Sequence, residues 1–377
     1  VLEMKKLGIG IIGFGFMGKT HTFAYRNMPF YYPNFPAKIN LKGVCSQHIE
    51  NAERAKEAFD FEYATDNYMD IIEDKEIDIV NICTPNAQHK EQVIAALRAG
   101  KHIYCDKPLA ISFKEAQEIL AEKEKSKSIC QITLQNRFFP AVIRAKQLIG
   151  EGRLGRILSF RACYLHSGAI DPNRPISWRM DISQGGGGVL FDMGIHVLDA
   201  VYNLIGEFES IFCKTQTIYK KRPNEKGEMV DIAVDDASYM VLTAKCGAVG
   251  TVEASKVASG TNDELRFEIH GDKGALRFNL MEPNFLEFYD NTKSDMPYGG
   301  DKGFTKIECV QRYEDSPFPG PKYAVGWTRG HIHSLYSFLN CVLSGKSASP
   351  SFEDGAYLQY VMEKGYQSAK VGKMLIL

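Results

Sequence analysis

The chain has 377 residues, 44% apolar and 24% charged, with a formal net charge of -1. This is a globular profile, too long for one ordinary domain and suited to two or three. The near-zero charge removes the electrostatic case for nucleic acid or an anionic membrane surface, and no apolar run approaches the ~18 residues of a membrane span. The opening stretch Val1-Leu2-Glu3-Met4-Lys5-Lys6 has no signal-peptide core, and Met4 reads as the natural start. The nine cysteines are scattered singly without a C-x-x-C pair, so reduced thiols in a cytoplasmic protein are expected rather than a disulfide frame or zinc site.

In chain order, residues 7–12 form an apolar strand candidate, followed by a glycine-rich turn at 13–18 and a helix over 19–27. An aromatic, proline-rich insertion at 31–36 precedes a second strand at 41–45. A helix at 51–59, a short strand at 62–65 and a helix near 68–73 come next. A clear strand at 77–83 leads to a helix at 91–99 that ends at Gly100, a residue suited to a helix C-cap. A strand at 103–105 follows, then a helix opened by Ser112 with Glu115 three residues on, a capping box. Residues 128–133 make a sixth strand. This alternation predicts a parallel, doubly wound sheet.

Beyond a helix at 140–149 the pattern changes. Strand-like runs at 158–164, 211–218, 238–244, 250–255, 266–270 and 275–278 have few helices between them, and Gly247, Gly271 and Gly274 mark turns. An antiparallel α+β domain is expected, with a helical tail at 331–343 and 353–368. The division is a dinucleotide-binding domain over 1–127 and a substrate and oligomerisation domain over 128–377, with the helices at 140–149 and 353–368 packing back on the first. Met240-Val241-Leu242, with Val249, Val252 and Val257, suggests more apolar surface than one helical layer buries, and hence a homodimer or homotetramer.

Gly13-Phe14-Gly15-Phe16-Met17-Gly18 is G-x-G-x-x-G between a strand and a helix. Gly13 permits the tight turn, Gly15 lets backbone approach a pyrophosphate, and Gly18 allows close helix–strand packing. In this context the turn predicts NAD(P). A carboxylate at the end of the second strand would bind the ribose 2′-hydroxyl of NAD, but Ser46-Gln47-His48 stand there. Ser46 and His48 suit a 2′-phosphate, so the reading leans to NADP; a neutral loop accepting either cofactor is the plainer alternative.

Lys107-Pro108 closes the strand at 103–105, at the carboxyl end where open α/β sheets bind ligands. Proline fixes the backbone beside the amine. A surface lysine in a turn is the plainer reading.

Asp192 and His196 follow four glycines at 185–188 and are four residues apart, so one helical turn places them on one face. That suits a histidine proton acceptor beside a carboxylate that orients it or binds a hydroxyl. Metal binding by this pair lacks an evident third ligand, and no metal is expected. The glycines most simply give a close-packed turn, and they could also admit substrate. Trp178 suits stacking on a sugar face and Arg179 suits holding hydroxyl or carboxylate oxygens; a domain-surface anchor is the alternative. Tyr164 and His166 are weaker pocket candidates. His331 and His333 read as structural.

The glycine turn, Thr84-Pro85-Asn86-x-x-His89, Ala99-Gly100-Lys101-His102, Asp106-Lys107-Pro108 and Asp192-x-Gly194-x-His196 occur in this order. Together they resemble the glucose-fructose oxidoreductase / inositol dehydrogenase / rhizopine catabolism (Gfo/Idh/MocA) family over essentially the whole chain. The resemblance implies a Rossmann domain, a second domain on a large open antiparallel sheet, and oxidation or reduction of a secondary alcohol or ketone on a sugar or cyclitol. It places Thr84, Pro85 and Asn86 along the cofactor, and also His89, which could instead simply open its helix. It places Lys107 near nicotinamide and substrate before an often cis proline peptide. Asn136 and Arg137 fall near cofactor and substrate, with an interdomain salt bridge as the alternative for Arg137. Asp106 stands where the family usually has glutamate, and it keeps the charge.

The expected activity is hydride transfer with Lys107 or His196 taking the hydroxyl proton and Asp192 orienting His196. Two rivals use the same fold. A glycoside hydrolase or lyase would oxidise its substrate transiently and accumulate no reduced cofactor. A dinucleotide-binding regulator would turn nothing over.

Overall fold

The computed structural model describes residues 5–377; the stretch ending at Met4, and the reading of Met4 as the start, lie outside the described residues. The chain forms two compact units. The first runs to Gln135 and takes in Glu314–Pro319 and Trp327–Gln359; the second comprises Asn136–Tyr313, Gly320–Gly326 and Tyr360–Leu377. The sixth strand therefore belongs to the first unit, beyond the division at 127/128 that the sequence suggests.

In the first unit, strands β1 (Lys5–Ile12), β2 (Ala37–Cys45), β3 (Tyr63–Thr65), β4 (Ile79–Ile82), β5 (His102–Cys105) and β6 (Cys130–Ile132) stand in the order β3-β2-β1-β4-β5-β6. All their pairings are parallel. Helices α1 (Phe16–Tyr31), α2 (Ile49–Phe59), α3 (Tyr68–Glu73), α4 (His89–Arg98) and α5 (Phe113–Lys123) connect them. Residues 7–12 of β1 are buried throughout, as helix-covered parallel strands are. The strand order reverses direction between β1 and β4, the switch point of a Rossmann sheet. Helix α1 is longer than the sequence suggests, beginning directly after Gly15.

The second unit carries α6 (Pro140–Gly150), β7 (Ile157–Leu165), α7 (Ile182–Gly185), α8 (Ile195–Ile205), β8 (Phe208–Gln216), a hairpin of β9 (Lys221–Pro223) and β10 (Met229–Asp231), β11 (Ala237–Ala244), β12 (Val249–Ser255), β13 (Glu264–Gly271), β14 (Gly274–Asn279), β15 (Phe285–Asp290) and β16 (Phe304–Glu308). The chain then forms α9 (Trp327–Ser344), α10 (Phe352–Val371) and β17 (Leu375–Ile376). Nine strands make one sheet in the order β16-β15-β14-β13-β7-β12-β11-β8-β17. The β7–β12 pair is parallel and the other pairs are antiparallel, so the sheet is mixed and mainly antiparallel, as expected.

Helices α6 and α8 pack on one face of this sheet. Met240, Leu242 and Val252 are buried, whereas Tyr239 and Val249 are exposed and Val241 is half-buried. The apolar run at 240–242 is thus divided between the two faces of the sheet by strand alternation. The helical stretch Ile182–Ile205 reaches a mean hydropathy of 1.3, long and apolar enough by composition to cross a membrane, but 78% of that window is buried in the protein. It is a core helix.

The tail is shared between the two units. Helix α6 groups with the second unit, and α10 passes from the first unit to the second after Gln359. Helix α9 returns to the first unit, where Ile332, Leu335, Phe338 and Leu339 join Leu7, Ile9, Tyr25 and Tyr104 in the core. Their spacing is one apolar helical stripe.

Candidate active site

Three backbone bonds align the loops at the carboxyl ends of the Rossmann strands. Gly13 N–H donates to Cys45 O (2.9 Å), Cys83 N–H to Ile12 O (2.8 Å) and Asp106 N–H to Ile82 O (2.9 Å). The glycine turn, the Thr84 segment and Asp106-Lys107 therefore lie side by side. Gly13 has φ +90°, and a Cβ there would sit 2.7 Å from the Cys83 carbonyl carbon. A Cβ on Gly18 would collide with the Gly13 carbonyl oxygen, whereas one on Gly15 would meet no atom within 4 Å. Gly15 thus faces open space at the head of α1, where no side chain caps the helix and no acidic residue lies in the first turn. These are the features of an anion cradle, and they fit a dinucleotide pyrophosphate. Phe16, beside the cradle, is 67% exposed.

Ser46 directly follows β2 with its N–H on Thr65 O (3.1 Å), and Gln47 and His48 are exposed. Asp70, in the first turn of α3, is engaged by Thr65 Oγ1 (2.5 Å) and Asn67 Nδ2 (2.9 Å).

His89 opens α4 and is fully buried; Nδ1 lies 2.8 Å from Pro108 O and Nε2 2.9 Å from Thr84 O. The ring ties the loop after β4 to the loop that carries Lys107. Burial lowers its pKa against the opposing pull of Asp106 and the two carbonyls. Thr84 Oγ1 donates to Gln92 Oε1 (2.7 Å), and Asn86 is buried. The Lys107-Pro108 peptide is cis, and Lys107 N–H donates to Asp106 Oδ1 (2.9 Å), so that carboxylate is turned onto its own loop. Lys107 is half-buried.

Beside these loops lies a polar cluster with no motif to announce it. Asn81 Nδ2 is 3.0 Å from His21 Nδ1 and 2.9 Å from Cys83 Sγ, and Tyr25 Oη donates to Asn81 Oδ1 (3.3 Å). Burial lowers the His21 pKa to about 4. His331 is fully buried in α9, and His333 Nδ1 meets Tyr32 Oη at 2.6 Å, so both belong to the interior of the first unit.

In the second unit, Asp192 lies in a π-helical turn (Leu190–Gly194) and His196 in the first turn of α8. Asp235 fixes the start of this helix: its carboxylate accepts from Gly188 N–H (3.2 Å), Leu190 N–H (3.1 Å) and Tyr366 Oη (2.5 Å). A Cβ on Gly187 would lie 2.6 Å from Tyr366 Oη, and one on Gly188 would run into the Asp235 carbonyl. Close packing therefore explains the last two glycines of the 185–188 run.

Asp192 is held by two cations. Lys256 Nζ lies 2.9 Å from Oδ2, and Arg179 Nε lies 3.6 Å from Oδ1. The Arg179 guanidinium is stacked over the Trp178 ring at 4.3 Å. Asp263 Oδ1 accepts from Tyr164 Oη (2.6 Å) and lies 3.0 Å from His166 Nε2, and the Tyr164 ring packs edge-on to His196 at 5.7 Å. Burial would raise the Asp263 pKa, but the bonds from His166 and Tyr164 outweigh it and hold the carboxyl below its usual range. Sequence reasoning missed Lys256, Asp263 and Asp235, which come from loops at strand ends.

Asn136 is buried, and neither Oδ1 nor Nδ2 of its amide has a protein partner. An orphaned amide of this kind is costly unless a ligand or water satisfies it. Arg137 is paired with Asp199 through Nε (2.9 Å) and Nη2 (2.5 Å), an ion pair inside the second unit rather than between domains. Among the described residues, no three His, Cys, Asp or Glu side chains come together as a metal site.

Residues 7–134 match the model of an oxidoreductase family with an NAD-binding Rossmann fold, and residues 142–277 match the Gfo/Idh/MocA C-terminal domain. The chain is 35% identical over 382 residues to levoglucosan dehydrogenase of Pseudarthrobacter phenanthrenivorans, covering 97% of both. It is 24% identical to myo-inositol 2-dehydrogenase of Thermotoga maritima, covering 97% of this chain and 98% of that relative. The solved structure of levoglucosan dehydrogenase with NADH and levoglucosan matches with a TM-score of 0.95 at 34% identity, each chain covered to 99%. With both halves matched, the glycine cradle intact, and Lys107, Asp192 and His196 in place, the chain belongs to the Gfo/Idh/MocA oxidoreductase family.

Proposed function

We propose that this enzyme oxidises a ring hydroxyl of a sugar or cyclitol, or reduces the matching ketone, with NAD(P). The observation that carries the reading is the retention of Lys107, His196 and a cation-held Asp192 in a chain matching sugar dehydrogenases end to end. When bound, the nicotinamide supplies the hydride acceptor or donor. The Gly13 to Gly18 cradle and the open head of α1 hold the pyrophosphate; Met17, Thr84, Pro85, Asn86 and Asn136 line the dinucleotide, as the family resemblance implies. His196 or Lys107 takes the hydroxyl proton, and Asp192 orients His196 or binds a neighbouring hydroxyl. Trp178 and Tyr164 supply apolar surface for a sugar ring, and Arg179 supplies donors to its oxygens.

Levoglucosan, the substrate in the name of a similar protein, heads the panel, followed by inositols, aldoses and sugar acids. Formation of NADH or NADPH is followed by absorbance. Lys107→Met and His196→Asn should each lower turnover by about 10² or more with cofactor affinity nearly unchanged. Normal turnover in both variants would overturn the assignment.

NADP is the preferred cofactor in this reading, because no carboxylate stands at Ser46, Gln47 or His48 to repel a 2′-phosphate. The open face of the nine-stranded sheet, with Tyr239 and Val249 exposed, supports a homo-oligomer, to be tested by light scattering. The scattered, unbridged cysteines support a reducing compartment such as the cytoplasm.

A further inference from the structure

Helices α1 and α9 lie side by side and run in the same direction. Phe16 meets Trp327 at 5.6 Å between ring centroids, His21 meets His331 at 5.7 Å, and Tyr32 stacks on Tyr336 at 3.6 Å. Both sequences ascend together, so the first residue of α9, Trp327, stands at the same end as the glycine cradle. The cradle opens at Gly15, and Phe16 is the next residue. Trp327 is half-buried, with the fully buried His331 ring packed against it at 4.6 Å. The indole is therefore fixed from below and beside, with part of its surface left to solvent next to an anion cradle.

We propose that Trp327 is a dinucleotide-binding residue: with Phe16 it forms an aromatic wall beside the cradle, and the bound NAD(P) packs against the indole. The proposal rests on the dinucleotide reading of the cradle and adds a contact that no motif in the first 135 residues contains. A rigid aromatic surface gives contact area at low conformational cost, and the head of α9 adds a second positive helix end beside that of α1. Trp327 is not expected to take part in proton transfer.

The chain has two tryptophans, so Trp178→Phe leaves Trp327 as the single indole emitter. In that variant, saturating NAD⁺ or NADP⁺, neither of which absorbs indole emission, should change the emission and protect it from acrylamide quenching. In the otherwise native chain, Trp327→Leu should weaken the calorimetric Kd for the preferred cofactor roughly three- to tenfold, and Trp327→Phe should restore most of it. The first measurement leaves position 327 untouched, so a misfolded variant cannot hide the answer. Unchanged acrylamide quenching at saturation, or a folded Trp327→Leu variant with native Kd, overturns the proposal. If the native chain binds neither dinucleotide by calorimetry, the cofactor reading fails and this contact falls with it.

Discussion

Lys256 Nζ lies 2.9 Å from Asp192 Oδ2, and both side chains are mostly withdrawn from solvent, at 17% and 24% exposure. A charge-assisted bond at this depth is screened less than a surface pair. It fixes the carboxylate one helical turn from His196.

The first prediction follows from that bond. Lys256→Met removes the shorter of the two ion pairs described for Asp192 and should lower kcat/KM about tenfold on the substrate found in the screen. Lys256→Arg should recover much of the loss. A general structural defect would lower the melting temperature in step with activity. A native rate in Lys256→Met would show that Asp192 needs no such support.

The Rossmann half was legible because its signals are local. Each buried parallel strand is a short apolar run, and the glycine turn has its context within a few residues. Lys256 and Asp263 were not legible because they end or precede strands of the large sheet, and only the pairing of β12 and β13 with β7 brings them toward Asp192 and Tyr164. Strand β16 was missed because its pattern is almost wholly exposed and shows no apolar alternation. Helix α9 was read from its periodicity, but periodicity reveals an apolar stripe and not the sheet it covers. The Asp192-x-Gly194-x-His196 spacing predicts one regular helical turn, whereas the turn containing Asp192 is π-helical.

Cofactor choice should be reversible at the end of β2. Ser46→Asp would place a carboxylate where an NAD ribose hydroxyl is usually held. It should weaken NADPH binding at least tenfold while NADH affinity is kept or improved. Comparison of the four dissociation constants checks this. A clear NADH preference already present in the native chain would defeat the NADP reading.

Gly188 tests the architecture beneath Asp192. Its added Cβ would meet backbone and carboxylate atoms of Asp235 and not a yielding side-chain tip. Overpacking of this kind typically costs about 1–3 kcal/mol. Gly188→Ala should therefore lower stability by that order and loosen the helix start. Gly100→Ala, on the surface, meets no atom within 4 Å and is strained only through its φ of +72°. Equal, small effects of the two substitutions on urea midpoints would show that the turn at 188 yields freely.

The buried His21 should limit acid tolerance. Burial lowers its pKa from 6.5 to about 4 in the folded protein. Above 6.5 the ring is neutral in both states, and its contribution to stability is complete. Between 6.5 and about 4 the unfolded chain takes up a proton that the folded chain refuses, so stability falls as the pH drops. The full difference is of order 3 kcal/mol. Urea unfolding across that window should therefore show falling midpoints in the native chain. His21→Gln, which can still bond Asn81, should be less stable at neutral pH but should flatten the slope. An unaltered slope in that variant would place the acid sensitivity elsewhere, the first candidate being His333, whose pKa burial lowers to about 3.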